Sequence, residues 1–376
     1  MKRIYLDNNA TTGLDEIVKN AMLEELGPLP ANPSSAHYFG REAKIRLAKA
    51  RQTIADFLHV KPQEIIFTSG GTESINMLLR GLFPCGKTGH IITSDVEHSA
   101  VLNTLRFLKN HGCKVNFLPA GLWGAVQPEE IEKALQKETQ LIILNAANNE
   151  TGVKHDIAAI AEIASRAKIP FIVDAVALFG KEVFHIPKGV SAMAFSGHKF
   201  HAPKGSGFAY IRSDLKLEPL LTGGEQEWGK RSGTENLPGI VGLAKAVELL
   251  SQVLPQASDH MRRLRDKLEI TLIQKLGSVL VNGAGPRSVN TSNLSFIKAS
   301  GEDLLIALDM AGIAVSHGSA CSSGALELSR ILTNMGLPKH IARSSIRFSL
   351  SRQTTEEEID LCIKTVCEIV LRLRNL

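Results

Sequence analysis

The sequence has few aromatic residues and only a small excess of one charge. Aromatic residues make up 5% of the 376 residues, and apolar residues make up 44%, which is ordinary for a globular protein. The net charge of +5 is small for so long a chain. It indicates a solvated surface and not the basic footprint of a nucleic-acid-binding protein, so we expect no direct contact with nucleic acid.

Long apolar runs and paired cysteines are also missing. No segment approaches ~18 consecutive apolar residues, so we expect no membrane span. The N-terminus turns polar after six residues, which is too short for a secretory signal. The five cysteines are an odd number and form no Cys-x-x-Cys pair, and no histidine pair has metal-ligand spacing. These features predict free thiols in a reducing compartment, the cytoplasm, and no resident metal.

Short apolar runs alternate with helical patterns through the first two thirds of the chain. The runs cover residues 65–67, 91–92, 141–144 and 171–173. This alternation predicts a mostly parallel sheet that is covered by helices on both faces. Polar residues follow each run directly. They therefore fall at the carboxyl edge of the sheet, where such sheets bind ligands.

The pattern changes after about residue 240. Two successive helices are predicted, over residues 237–254 and 259–276, and a strand follows at residues 293–296. The last helix is predicted to begin at Thr354, with Glu357 three residues on completing a capping box. Apolar residues recur along it at helical spacing and predict one buried face.

These patterns predict an α/β protein with two domains. The large domain covers residues 14–255 and contains the mostly parallel sheet. A smaller α+β domain covers residues 256–376, with residues 1–13 folded back onto it. The chain is long enough for two such domains at ~100–200 residues each.

Lys199 is the first candidate for chemistry. It follows a buried strand within the segment MAFSGHKFHAPKGSG, with Ser196 and His198 beside it. A lysine delivered to a ligand crevice can form a Schiff base with a carbonyl compound or with pyridoxal 5'-phosphate (PLP). The motif alone equally allows a surface lysine in a glycine-rich loop.

Further candidates stand at other strand ends. The turn at residues 69–72, Ser-Gly-Gly-Thr, can hold a phosphate because glycines let backbone N–H groups approach an anion at a helix N-terminus. Asp174 can pair with a pyridinium nitrogen, or it can cap the following helix. His98 can lie over a cofactor ring, or it can be a structural histidine. Taken together with Lys199, this set meets the needs of PLP.

Longer motifs make the sequence resemble a cysteine desulfurase of the NifS/IscS type, in the class-V aminotransferase family. The matching segments are YLDNNATT, NPSSAH, FTSGGTESIN, EHSAVL, NNETG, VDA, FSGHK, KRSGTENLPGIVG, GSACSSG and SSIRFSLSR. They run almost from end to end of the chain. The resemblance implies the PLP-dependent transferase fold of type I, PLP as cofactor, L-cysteine as substrate and a homodimer. It also implies a protein that accepts the sulfur, for iron–sulfur cluster assembly or thiolation.

The resemblance assigns roles to individual residues. Lys199 would hold PLP, His98 would stack on its ring and act in catalysis, and Asp174 would face the ring nitrogen. Asn149 would reach both cofactor and substrate. The residues that would bind the phosphate are Gly71, Thr72, Ser196, His198 and, from the partner subunit, Thr234. The substrate carboxylate would be bound by Arg347 with help from Asn32, since a guanidinium suits a carboxylate.

Cys321 is the second reactive centre that the resemblance implies. It lies in SHGSACSSG, a stretch of mostly small and polar residues that predicts a mobile surface loop. Its thiol would take the sulfur from L-cysteine as a persulfide and present it to an acceptor. The resemblance also allows Cys321 to serve as a transient ligand of an iron–sulfur cluster. Cys362, in contrast, is predicted to be a core residue of the last helix.

The sequence departs from the family pattern beside the predicted site. Ala177 stands where the family has a glutamine that donates to the phenolic oxygen of PLP, and Glu225 and Trp228 replace a glycine and an arginine. Two alternatives to a desulfurase therefore stay open. One is a class-V PLP enzyme of another reaction, an aminotransferase or lyase. The other is a binding protein that keeps the fold with weak chemistry.

Overall fold

The computed structural model describes residues 3–27, 30, 32–318 and 328–375. The strands are β1 (Ile4–Tyr5), β2 (Ile65–Thr68), β3 (His90–Ser94), β4 (Lys114–Leu118), β5 (Thr139–Asn145), β6 (Phe171–Asp174), β7 (Ala192–Ser196), β8 (Gly207–Ile211), β9 (Val279–Val281), β10 (Thr291–Phe296), β11 (Ile313–Ala314) and β12 (Ser345–Ser349). The α-helices are α1 (Glu16–Glu25), α2 (Tyr38–Leu58), α3 (Gly71–Leu82), α4 (Ser99–Asn110), α5 (Pro128–Ala134), α6 (Ile157–Ala167), α7 (Leu237–Leu276), α8 (Gly301–Met310), α9 (Arg330–Asn334), α10 (Lys339–Arg343) and α11 (Glu356–Arg374).

Strands β2 to β8 form one mostly parallel sheet. In the described part of the chain it has seven strands in the order β2-β8-β7-β6-β5-β3-β4. Strand β8 is antiparallel to both of its neighbours, and the other pairs are parallel. The predicted α/β fold is confirmed. The parallel strands are apolar runs because a sheet covered on both faces buries every side chain.

Alternate residues of each strand pack into different layers. Ile142 and Leu144 join a core cluster with residues of α2, α6 and α7. Leu141 and Ile143 point the other way and join a cluster with residues of α3 and α4. Successive side chains of a strand point to opposite faces, so the two clusters lie on opposite sides of the sheet.

A second region is built on smaller sheets. Strands β9, β10 and β12 pair antiparallel in the order β12-β10-β9, and β1 pairs parallel with β11. Ile4 and Leu6 are buried in the same cluster as apolar residues of β12, α11 and the second half of α7. The start of the chain thus packs with its C-terminal third. The domain limits at residues 13 and 255 stay a prediction.

Helix α7 differs from the prediction of two helices. It runs unbroken from Leu237 to Leu276 with Pro255 inside it. Proline removes one backbone donor, but apolar residues on both sides of it are buried in two different clusters, and this packing holds both halves in one helix. Among the described residues, one helix, α7, has the length and composition of a membrane span, with an 18-residue window of mean hydropathy 1.4. Of that window 56% is buried inside the protein, as in a core helix.

The last helix begins one residue later than predicted. Thr355, not Thr354, is the N-cap of α11, and Glu358, not Glu357, completes the capping box. The hydroxyl of Thr354 accepts a hydrogen bond from the Ser351 N–H at 3.0 Å in the preceding turn, so it is not free to cap the helix. The predicted apolar face of the helix is buried, and it includes Cys362.

Candidate active site

A cavity of about 320 Å³ lies at the carboxyl ends of β5, β6 and β7. Three parts of the chain meet in its wall: the N-terminal segment, the strand ends of the central sheet and β12. The lining residues are Asn9, Ala10, Gly71, Thr72, Ile75, His98, Ala100, Asn145, Ala147, Asn149, Asp174, Val176, Ala177, Ser196, His198, Lys199 and Arg347. Most residues that the sequence singled out therefore share one cavity.

Lys199 ends a short 3₁₀ helix, Gly197–Lys199, that follows β7 directly. Its side chain is half-buried, and Nζ donates to the backbone oxygens of Asn9 at 2.6 Å and Ala10 at 2.9 Å. The amine is thus held at the cavity wall by the N-terminal segment. Lys199 is not a surface lysine of a glycine-rich loop.

Asp174 is the last residue of β6 and is buried. Its Oδ1 accepts from the Val176 N–H at 3.0 Å. Burial raises the pKa of this carboxyl, and the nearby positive charges of His98 and Lys199 and the Val176 hydrogen bond offset only part of that effect. A cationic ligand group beside Asp174 would stabilise its ionised form.

His98 has a structural role and a place in the cavity at the same time. It is the N-cap of α4, and its Nδ1 accepts from the Ala100 N–H at 3.1 Å. In the neutral ring this hydrogen bond assigns the proton to Nε2, so the nitrogen on the other edge is a donor. His98 also lines the cavity, and its position beside a cofactor ring stays a prediction.

The turn before α3 approaches β7 closely. Gly70, at φ 152°, is the N-cap of α3 and offers no side chain to the first helical N–H groups. A Cβ added at Gly71 would lie 2.6 Å from Cγ2 of Val176, so a larger residue would collide with the wall of the cavity. Thr72, Ser196 and His198 line the same cavity. The cavity lining therefore includes two hydroxyls, an imidazole and the N-terminus of α3, a set that suits an anion.

Arg347 lies on β12, is almost fully buried and lines the cavity. Its Nη2 contacts Oδ1 of Asp7 at 2.6 Å, and its Nη1 donates to the backbone oxygen of Asn149 at 2.9 Å. Nε has no hydrogen-bond partner among the described residues. Both terminal nitrogens of the guanidinium are therefore partly engaged by the protein, and Nε still has its hydrogen to donate to a ligand.

Some predicted residues do not line this cavity. Asn32 is exposed, and its side chain accepts from the Ser34 N–H at 2.9 Å. Thr234 is exposed as well, and the sequence assigned it to the site of a partner subunit. Cys321 lies outside the described residues. The other cysteines are free thiols, and burial raises the pKa of Cys362 to about 12.

The sequence did not single out three residues that shape the site. Asp7 pairs with Arg347. It belongs to the motif YLDNNATT, and a carboxylate directly before polar residues could have been predicted as a site residue. Glu97, beside His98, is fully buried, and burial raises its pKa to about 8. Lys181 is buried, and its Nζ donates to the backbone oxygen of Lys199. A lysine after an apolar segment carries no local signal, so only the fold locates Lys181.

Known proteins share both the sequence and the fold. The family model for class-V aminotransferases matches residues 4–362. The cysteine desulfurase IscS of Dictyoglomus turgidum is 42% identical over 387 residues, which cover 100% of this chain and 97% of that protein. A cysteine desulfurase of Nostoc sp. is 44% identical over 379 residues, covering 100% and 95%. A solved structure of a NifS-like protein has a TM-score of 0.90 at 39% identity and covers 99% of this chain and 100% of that one.

Proposed function

Because the chain belongs to the class-V aminotransferase family and to the cysteine desulfurases within it, we propose that it converts L-cysteine to L-alanine and passes the sulfur on through Cys321. The observation that carries the proposal is the shared cavity. An amine, a buried carboxylate, an imidazole and an anion-binding turn line it together, although they come from four different strand ends.

The described residues fit PLP. Asp174 is a buried carboxylate whose pKa is raised by burial, and a pyridinium nitrogen would provide the missing cation. Gly71 keeps the phosphate side of the cavity free of a Cβ, and Thr72, Ser196 and His198 offer donors there. Lys199 provides the amine for a covalent linkage. Thr234 of a second subunit would complete the phosphate site in a homodimer.

The chain's own residues divide the remaining work. PLP, when bound, supplies an electron sink for charge at the α-carbon of the substrate. The Lys199 amine, which lines the cavity, would take the α-proton. His98, whose Nδ1 is engaged in its capping contact, would give a proton from Nε2. Arg347 and Asn149, which both line the cavity, would bind the substrate carboxylate. Asn32, which the resemblance also assigns to the carboxylate, lies outside the cavity lining.

The sulfur transfer belongs to Cys321. Its thiolate attacks the substrate sulfur, an S–S bond forms, and the C–S bond of the substrate breaks with its electron pair going to carbon. Protonation of that carbon gives the methyl group of alanine. The persulfide on Cys321 then passes its outer sulfur to an acceptor protein for iron–sulfur assembly or thiolation, and Cys321 serves as a transient cluster ligand during that transfer. A cytoplasmic location agrees with this chemistry, because a thiol needs a reducing compartment.

Incubation with L-cysteine tests the function. A desulfurase releases alanine and, with a reducing thiol present, sulfide in equal amounts. An aminotransferase would release neither, and a binding protein would turn nothing over. Lys199→Ala is the control: it should lose both products together with the borohydride-reducible linkage to PLP. Retention of that linkage in the variant would contradict the assignment of Lys199.

A further inference from the structure

Lys181 is a buried lysine that the mechanism above does not use. It lies in the turn after β6, and only 2% of its surface is exposed. Its Nζ donates to the backbone oxygen of Lys199 at 2.7 Å. A lysine ammonium is strongly hydrated and is almost never fully buried without a partner. A buried Lys181 whose ammonium contacts the backbone oxygen of Lys199 is therefore unusual, and it suggests a role for this contact.

The charges around Lys181 do not neutralise it. The charged groups that act on it most are Lys199 and Arg352, and both are positive. Arg352 is compensated by Asp15, whose Oδ2 lies 2.6 Å from its Nη2. Burial and these charges lower the pKa of Lys181 to about 7.

Two histidines also face this cluster. Burial is the main cause that lowers the pKa of His198 to about 4 and that of His201 to about 3, and the charge of Lys181 contributes to both shifts. Both imidazoles are therefore neutral near pH 7 and neither adds to nor cancels the charge. The carboxylate of Asp174 is close enough to Lys199 for their charges to interact, and both residues line the cavity. Asp174 therefore offsets part of the charge of Lys199, whereas the two charges that act most on Lys181 are both positive.

We propose that Lys181 is a positioning residue for Lys199: its ammonium fixes the Lys199 carbonyl, and its charge favours the neutral form of the Lys199 amine. A neutral amine is what the proposed function needs, because only the neutral form attacks a carbonyl carbon or accepts a proton. A neighbouring cation is an established way to activate a lysine nucleophile. Electrostatic coupling is reciprocal, so the repulsion that acts on Lys181 acts equally on Lys199.

The inference rests on the proposed function, since its readout is the PLP linked to Lys199. The measurement is the pH midpoint of the visible absorption of the bound cofactor, which reports the proton on that linkage. Lys181→Met removes both the charge and the donor. Lys181→Gln removes the charge and keeps a donor for the Lys199 carbonyl, and it also provides a second reading if Lys181→Met folds poorly. Lys204→Met is the matched control, because it removes an exposed lysine from the same segment as Lys199.

We expect the midpoint to rise by ~1 unit in both Lys181 variants, a tenfold change in proton affinity, and to move by less than ~0.2 unit in Lys204→Met. An unchanged or lower midpoint in the Lys181 variants would overturn the inference. So would an equal shift in Lys204→Met, or a shift in Lys181→Met that Lys181→Gln does not share, because the charge would then not be the cause. An unsubstituted protein without a borohydride-reducible cofactor would instead overturn the proposed function, and the inference with it.

Discussion

The contact between Asp7 and Arg347 should make a large contribution to stability. Nη2 and Oδ1 lie 2.6 Å apart, and the side chains are 1% and 17% exposed for Arg347 and Asp7. Removing one partner leaves a buried charge without compensation, which costs about 3–5 kcal/mol. We therefore expect Asp7→Asn and Arg347→Met each to lower the free energy of unfolding by several kcal/mol. Asp7→Asn should fall at the low end because the amide oxygen can still accept from Nη2.

A double-mutant cycle separates the pair from the rest of its surroundings. The free energies of unfolding of the unsubstituted protein, both single variants and the double variant are measured in urea after removal of bound PLP, so that ligand binding does not contribute. The double variant should lose less than the sum of the single losses, with a coupling energy of about 2–3 kcal/mol. The coupling should persist at ~1 M salt, since a buried pair is poorly screened.

The exposed pair of Arg166 and Glu132 is the control. Its distance of 2.7 Å is nearly the same, but the side chains are 62% and 57% exposed. Solvent and salt should reduce its coupling below about 1 kcal/mol. A coupling below about 1 kcal/mol for Asp7 and Arg347, or equal couplings for the two pairs, would refute the argument that burial decides the strength of this contact.

Three further predictions concern the cysteine, the cofactor surroundings and pH. Cys321→Ser should stop sulfide release and leave PLP bound, and a persulfide mapped by mass spectrometry to any other cysteine would contradict this. Ala177→Gln should lower the spectroscopic pKa of the bound cofactor and raise the rate with L-cysteine, by up to ~10–100-fold; if neither changes, Ala177 is not a handicap. Burial lowers the pKa of His155 from 6.5 to about 4. Between these two pH values the imidazole is protonated in the unfolded chain and neutral in the folded protein. The free energy of unfolding should therefore fall by about 3 kcal/mol as the pH drops from 6.5 to 4. His155→Gln should remove this part of the pH dependence of the free energy of unfolding. If the pH dependence is unchanged in the variant, His155 is not its cause.

Much of the fold and site could be predicted because the relevant patterns are local. A fully buried strand needs a short apolar run, and a ligand edge needs polar residues where the run ends, so Asp174 and Ser196 were placed correctly from a few neighbours each. The prediction for α7 failed because Pro255 is a local signal, whereas the burial of both halves of the helix is not. The N-cap of α11 was predicted one residue too early because the segment TTEEE contains two capping-box patterns, Thr354 with Glu357 and Thr355 with Glu358.

The sequence by itself determined the chemistry: the residue types, their order along the chain and their positions at strand ends. Only the tertiary structure decided which groups meet. Arg347 contacts Asp7 across 340 residues of chain, and Lys181 lies under the carbonyl of Lys199. Burial then sets the charge of each group, because a low dielectric penalises an ion that lacks a partner. No pattern of neighbouring residues carries that information, since burial and pairing arise only when distant segments pack together.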